Sequence, residues 1–155
     1  MKLERCTFFP KVSSSSHPFK HTAVIGLGGN QGDVKKRFTR LYRKLINDRR
    51  FGLRESSRVF KNPPFGYHEQ PDFYNAVLVV HTSLDAKALL KVLLHLEAIF
   101  GRVRMFKNGP RTLDLDIIFF DNQTINRPNI IVPHPRWSER ASVIVPLLTL
   151  KNFKG

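Results

Sequence analysis

The order of hydrophobic periodicities along the chain is the feature that most constrains its fold. Segments with strand character are "HTAVIGLGGN", "LRESSRVF", "FYNAVLVVHT" and "TLDLDIIFF", and two segments of helical period interrupt them. The predicted order is therefore strand, helix, strand, strand, helix, strand. Two consecutive strands without a helix between them are incompatible with a doubly wound parallel sheet.

This order matches the split βαβ plan. It predicts an α+β, ferredoxin-like sandwich with an antiparallel-rich sheet and helices packed on one face. Asp33 is the expected N-cap of the first helix and Ser83 that of the second, which Gly101 should end.

The first twenty residues lack a sustained period and include "SSSSHP". We expect residues 1–20 to form a loosely ordered N-terminal extension and residues 21–155 to form one domain. No 18-residue apolar run or signal-like apolar core is present, and Cys6 is the single cysteine. These features predict a cytoplasmic protein without an internal disulfide or a membrane partner.

The charge balance predicts an anionic partner. Lys and Arg number 26 against 12 Asp and Glu, which gives a formal net charge of +14. Nucleic acid, nucleotide phosphates and an acidic membrane are all compatible with such a surface, and charge alone does not choose among them.

Two aspartates interrupt the last predicted strand, "RTLDLDIIFF". Side-chain alternation places Asp114 and Asp116 on one face, and Leu113, Leu115, Ile117 and Phe119 on the other. Like charges this close repel unless a cation lies between them. Mg²⁺ is commonly held by one or two carboxylates together with substrate phosphates, so the pair suggests a metal and phosphate site. The alternative is a solvated strand face with two ordinary surface acids.

A basic segment lies just before this strand and contains Arg102, Arg104, Lys107 and Arg111. Guanidinium groups donate to phosphate in bidentate fashion, which suits polyphosphate binding. A solvated basic loop is the alternative.

An aromatic residue and an amide occupy one face of the third strand. Phe73 could stack on a flat heterocycle while Asn75 hydrogen-bonds its edge, and Pro63 and Pro64 stiffen the loop before them. A core aromatic with a capping Asn is the alternative.

The glycine-rich turn "GLGGNQGD" resembles a dinucleotide fingerprint, but its spacing is off by one and it lacks the Lys-Ser/Thr of a P-loop. We interpret it as a structural turn that lets Asn30 and nearby backbone approach a ligand.

Taken together, the motifs are similar to those of the 6-hydroxymethyl-7,8-dihydropterin pyrophosphokinase family of folate biosynthesis. The resemblance covers roughly residues 22–150. The motifs that carry it occur in the family's order and spacing: "GLGGNQGD", "NPPFG", "QPDFYNAV", "LEAIFGRVR", "GPRTLDLDIIFF", "VPHP" and "PLL".

The resemblance implies transfer of a diphosphate from ATP to the hydroxymethyl group of the pterin, giving AMP. Asp114 and Asp116 would hold two Mg²⁺ ions. Arg102 and Arg111 would contact the triphosphate as catalytic residues, with Arg104 nearby. Family members are often monomeric, and their partners are small molecules rather than nucleic acid.

The resemblance also implies how each substrate is recognised. The expected pterin contacts are Asn75, Phe73 and Pro64, and the expected nucleotide-side residues are Glu97, His134 and Arg140. Loops 61–72 and 102–112 would close over the substrates. The family's second aromatic wall for the pterin would fall at Ser142, so that another aromatic such as Trp137 or Phe65 substitutes, or the pterin is stacked on one face only.

A competing function from another class is an RNA-binding ferredoxin-like domain. That fold, with a basic and aromatic sheet face, is an RNA platform. It would require stacking aromatics on the central strands and no metal carboxylates, whereas only Phe73 is an obvious candidate.

Overall fold

A computed structural model of the chain describes residues 1–13, 19–64, 66, 69–101 and 109–153. The helices are α1 (Val34–Ile46), α2 (Ala86–Ile99) and α3 (Ala141–Leu148), and a 3₁₀ turn spans Trp137–Glu139. The strands are β1 (Lys2–Glu4), β2 (Lys11–Val12), β3 (His21–Gly29), β4 (Phe51–Ser56), β5 (Val59–Asn62), β6 (Phe73–Thr82), β7 (Asp114–Phe120), β8 (Ile125–Arg127) and β9 (Ile130–Val132).

The main sheet is antiparallel and has β6 and β3 at its centre. Its order is β1-β5-β6-β3-β7, with β4 pairing with β6 beside β5 and β2 pairing with β4. A separate hairpin is formed by β8 and β9. The predicted α+β, ferredoxin-like sandwich is confirmed.

The larger hydrophobic core lies between this sheet and the two long helices. Their apolar stripes, which include Phe38 and Leu93, pack with the inward-facing strand residues such as Ile25, Leu78 and Leu115. The hydrophobic periodicity that predicted the helices is therefore the periodicity of their buried faces.

The helix ends follow the sequence prediction with one correction. The Asp33 carboxylate accepts the backbone N–H of Lys36 at 3.1 Å, as expected of an N-cap. Ser83 is not the cap of α2: the helix begins two residues later, because the carboxylate of Asp85 accepts the N–H of Ala88 at 2.8 Å. Gly101, with φ of +80°, follows the end of α2.

The segment predicted as one second strand forms two. Both β4 and β5 pair with β6, and Ser57 lies at the break between them. The N–H of Ser57 donates to the Val77 carbonyl at 3.0 Å, and its hydroxyl accepts the Val77 N–H at 2.8 Å. The serine side chain thus takes over one sheet hydrogen bond where the strand is interrupted.

The described part of the N-terminal segment is attached to the domain, which differs from the loose order expected of it. Strands β1 and β2 pair with β5 and β4. Phe9 is fully buried and its ring lies 5.8 Å from those of Phe38 and Tyr42 on α1. Apolar burial explains the difference, since this aromatic contact requires no period in the sequence. The domain boundary at residue 20 stays a prediction.

The opposite face of the sheet is partly covered. Helix α3 packs there, and Val143 joins a second buried cluster with Val24, Val77, Val79 and Ile118. Of the helices in the described residues, the two long ones, α1 and α2, share the predicted face, and α3 does not. None of the helices in the described ranges is long and apolar enough to cross a membrane.

An irregularity in β7 alters one expected side-chain direction. The pairing of β3 with β7 shifts register between Val24 and Ile25, so Ile117 is opposite Ile25 while Phe119 is opposite Val24. Phe119 consequently packs with the second cluster, its ring 4.9 Å from that of Trp137, and not with Leu113, Leu115 and Ile117.

Candidate active site

Three residues from three neighbouring strands form a row across one end of the sheet. Gly28 on β3 is opposite Asp114 on β7 and opposite Asn75 on β6. A Cβ atom at Gly28 would lie 2.8 Å from Nδ2 of Asn75 and 4.0 Å from Cβ of Asp114. The absence of a side chain at Gly28 therefore leaves room for the Asn75 amide and the Asp114 carboxylate, which lie on either side of β3 on the same face of the sheet.

This row lies in a cavity of about 420 Å³. The residues that line it come from the first residue of the chain, β3, the β5–β6 region, the beginning of β7 with the segment before it, and the turn that leads into α3: Met1, Gly28, Asn62, Pro63, Pro64, Phe73, Asn75, Arg111, Asp114, Glu139, Arg140, Ala141 and Ser142. The cavity brings together the predicted pterin residues Pro64, Phe73 and Asn75 with Asp114 and Arg111.

The orientation of Asn75 is determined by two neighbours. Asn62 Nδ2 donates to Asn75 Oδ1 at 2.8 Å, and Asn75 Nδ2 donates to the Leu27 carbonyl at 3.3 Å. These contacts hold the amide plane beside Phe73. Asn62 belongs to the site although the motif interpretation assigned it no role.

Arg111 lines the cavity beside Asp114. Its Nη1 donates to the Gly109 carbonyl at 3.2 Å, and its Nε is 4.0 Å from Oδ2 of Asp114. The Asp114 side chain keeps 34% of its surface exposed, so the carboxylate is accessible to a cation or a ligand. Arg102, Arg104 and Lys107 lie outside the described residues, as does Phe65.

Asp116 borders a second, smaller hollow of about 250 Å³ on the outer side of β7. His134, Ile130 and Pro135 also line this hollow. Burial and the nearby guanidinium of Arg140 lower the pKa of His134 from its ordinary value, while Asp114 has the opposite effect. His134 is therefore a neutral imidazole at pH 7, able to donate or accept a hydrogen bond.

The two aspartates are suited to bind a magnesium ion whose coordination shell is completed by substrate oxygens. They are successive same-face residues of an edge strand, with Asp114 partly exposed and Asp116 exposed. Within the described ranges, no group of three or more His, Cys, Asp or Glu side chains could hold a metal. Mg²⁺ needs only one or two carboxylates when waters and phosphate oxygens supply its other ligands.

Glu97 does not line either of these cavities. Its side chain is buried, with 4% of the residue exposed, and its Oε2 accepts the backbone N–H of Leu115 at 2.7 Å. Leu115 lies between the two aspartates. Glu97 thus supports the strand that carries them.

The opposite wall of the larger cavity is polar at the position where an aromatic was expected. Ser142 lines the cavity next to Arg140. Trp137 does not, because its ring packs against Phe119 in the second cluster. Among the described lining residues, Phe73 is the one aromatic.

Two contributions to the site were not recognised in the sequence. Met1 lines the cavity because β1 pairs with β5, which brings the chain start beside residues 62–64. Glu139 reaches it through the turn before α3. Neither residue belongs to a periodic segment or a spaced motif that could have indicated this position.

The fold and the site define a ferredoxin-like α+β protein in which an aromatic–amide pair and a carboxylate strand open into one cavity. The chain belongs to the 7,8-dihydro-6-hydroxymethylpterin-pyrophosphokinase family, whose family model matches residues 24–152.

Curated relatives agree with this membership. The 2-amino-4-hydroxy-6-hydroxymethyldihydropteridine pyrophosphokinase of Campylobacter jejuni is 47% identical over 144 residues, which cover 93% of this chain and 92% of that protein. The enzyme of the same name from Helicobacter pylori is 40% identical over 142 residues, covering 90% and 87%. The folic acid synthesis protein fol1 of Pneumocystis carinii is 38% identical over 141 residues, 91% of this chain and 19% of that longer protein.

Proposed function

We propose that this member of the pyrophosphokinase family transfers diphosphate from ATP to the hydroxymethyl group of 6-hydroxymethyl-7,8-dihydropterin, giving AMP, in the folate pathway. The observation that carries the proposal is the row of Asn75, Gly28 and Asp114 across three strands, because it sets a heterocycle-binding amide beside a phosphate-side carboxylate in one cavity.

The pterin is proposed to lie at the Asn75 end of the cavity. Phe73 offers one aromatic face, and the Asn75 amide offers a donor and an acceptor to the ring edge. Pro64 borders the same space. The polar Ser142 on the other wall supports stacking on one face within the part of the chain that the structure describes.

The phosphates are proposed to lie at the Arg111 and Asp114 end. Arg111 donates to phosphate oxygens, and Arg102 and Arg104 are proposed to do the same from the basic segment before it. Asp114 and Asp116 would hold Mg²⁺, proposed as two ions. Bound there, Mg²⁺ would neutralise phosphoryl oxygens and orient the attacking hydroxyl.

The nucleoside part of ATP is proposed to extend past Asp116 into the smaller hollow. Neutral His134 can hydrogen-bond a base or ribose without adding charge, while Arg140 adds a cation at the boundary of the larger cavity. This arrangement keeps the adenosine apart from the pterin, with the reacting phosphate between them.

An RNA platform is less compatible with the observed sheet. Residues Val77, Val79 and Ile118 on the face that such a platform would expose are buried under α3. We therefore propose small-molecule substrates rather than nucleic acid. We also propose that the protein is monomeric and acts in the cytoplasm.

The direct test is an AMP-release assay with ATP, in which the pterin and Mg²⁺ are each omitted in turn. AMP should form only when both are present, and Asp116→Asn should abolish turnover without changing the unfolding midpoint. Salt-dependent oligonucleotide binding with no AMP release would support the RNA alternative instead. Size-exclusion chromatography with light scattering checks the monomer.

A further inference from the structure

Asn30, at the end of β3, is a buried amide whose polar atoms are used within the protein. The residue is 4% exposed, so it does not approach a ligand as the glycine turn had suggested. Its Nδ2 donates to Gln70 Oε1 at 2.8 Å and to the Pro71 carbonyl at 3.0 Å. Its Oδ1 accepts the backbone N–H of Arg111 at 2.8 Å.

The backbone of the same turn also hydrogen-bonds Arg111. The N–H groups of Asn30 and Gln31 both donate to the Arg111 carbonyl, at 2.9 and 3.2 Å. Gly29 makes this approach possible, because a Cβ there would lie 2.6 Å from the Thr112 carbonyl oxygen. Arg111 is therefore held through its own N–H and C=O by Asn30 and Gln31, the two residues that follow β3.

The two segments that Asn30 joins lead into β6 and β7, the strands on opposite sides of β3 that contribute residues to the candidate cavity. Pro71 is two residues before Phe73, at the beginning of β6. Arg111 is three residues before Asp114, at the beginning of β7. Neither segment pairs directly with the other, since β3 lies between β6 and β7 in the sheet.

We propose that Asn30 is a positioning residue that holds the aromatic wall of the pterin site and the phosphate-side Arg111 in one fixed relation. This inference rests on the proposed function. It gives the glycine turn a role in positioning other site residues, without contact to either substrate.

The chemistry of the site favours an amide at this position. One end of the side chain must donate to two oxygen acceptors, while the other end must accept one N–H. A carboxylate keeps the acceptor for Arg111 but places a negative oxygen against Gln70 Oε1 and the Pro71 carbonyl. Asn30→Asp therefore disrupts the contacts to Gln70 and Pro71 while it keeps the acceptor for the Arg111 N–H. Asn30→Ala removes the side-chain contacts to all three residues.

The experiment measures kcat and the two KM values for Asn30→Asp, Asn30→Ala and a control, Thr39→Val. Thr39 is also buried, and its hydroxyl donates to the Thr7 carbonyl at 3.0 Å away from the cavity lining. Asn30→Asp should raise the KM for the pterin about tenfold with kcat within about threefold of wild type. Asn30→Ala should also lower kcat about tenfold, because the Arg111 N–H loses its side-chain acceptor and only the backbone contacts to the Arg111 carbonyl are left.

A matched pair at residue 70 covers the case in which the Asn30 variants do not fold. Gln70→Glu keeps an oxygen acceptor for Asn30 and should leave the KM for the pterin within about twofold, whereas Gln70→Leu should raise it about threefold or more. Hydrogen–deuterium exchange gives a readout that does not need turnover. The amides of residues 69, 70, 72 and 73 should exchange faster in Asn30→Asp than in wild type, and at the wild-type rate in Thr39→Val.

The outcomes separate this inference from the proposed function. If wild-type protein releases no AMP, the proposed function fails, and the exchange experiment still decides whether Asn30 holds the two segments. The second case is that the wild-type protein releases AMP and the Asn30 variants lose stability. If their kcat and KM values then match those of Thr39→Val, the positioning role is refuted. Equal effects of Gln70→Glu and Gln70→Leu would refute it as well.

Discussion

Glu97 allows a direct test of whether a motif residue binds the nucleotide or supports strand β7, which carries Asp114 and Asp116. The resemblance to the pyrophosphokinase family implied a nucleotide-side role for this residue. In the structure its carboxylate accepts the N–H of Leu115 at 2.7 Å, and 4% of the residue is exposed. Because β7 is the edge strand of the main sheet, this N–H would otherwise be a buried donor without a strand partner.

The magnitude follows from the type of hydrogen bond. Glu97→Ala removes a hydrogen bond to a carboxylate and leaves a buried N–H, which costs about 1.5–3 kcal/mol. That is a large part of a typical unfolding free energy of about 5–15 kcal/mol. Glu97→Gln keeps an oxygen acceptor and should cost about 1 kcal/mol or less.

Urea unfolding followed by circular dichroism measures this difference, and steady-state kinetics with ATP varied accompany it. Glu97→Ala should lose stability and some kcat, since Leu115 lies between Asp114 and Asp116, while Glu97→Gln should approach wild type in both. An unfolding free energy unchanged in Glu97→Ala, together with a KM for ATP raised tenfold or more, would refute the supporting role and restore a direct nucleotide contact.

Three further predictions concern the site. Asp116→Ala should reduce kcat by at least about a hundredfold while circular dichroism shows the fold intact, and undiminished AMP release would contradict the metal role. Gly28→Ala should force the Asn75 amide out of place, since the new Cβ would lie 2.8 Å from its Nδ2; the KM for the pterin should rise several-fold, with KM for ATP unchanged as the internal control. Burial and Arg140 lower the pKa of His134 below 6.5, so the stability it contributes is complete above about pH 6.5 and is lost as pH falls through the lowered pKa. Urea unfolding between about pH 5 and 7 should show this loss in wild type and a smaller one in His134→Gln, and equal slopes would contradict the assignment.

Local chemistry in the sequence determined the order of the strands and helices and the carboxylate pair. The side-chain period of a strand and the stripe of an amphipathic helix are read from neighbouring residues, so α1, its Asp33 cap and the shared face of Asp114 and Asp116 needed no tertiary information. The register shift in β7 marks the limit of this reasoning, because it redirected Phe119 without any break in the pattern.

The tertiary structure alone decided which polar groups face the cavity and which are used inside the protein. Asn30 is bonded to residues 40 and 81 positions away, and Glu97 to a strand 18 positions away. An amide or a carboxylate at a motif position looks the same in the sequence whether it meets a ligand or a backbone N–H. Burial and the satisfaction of hydrogen bonds depend on distant segments brought together by packing, and only that packing separates the two cases.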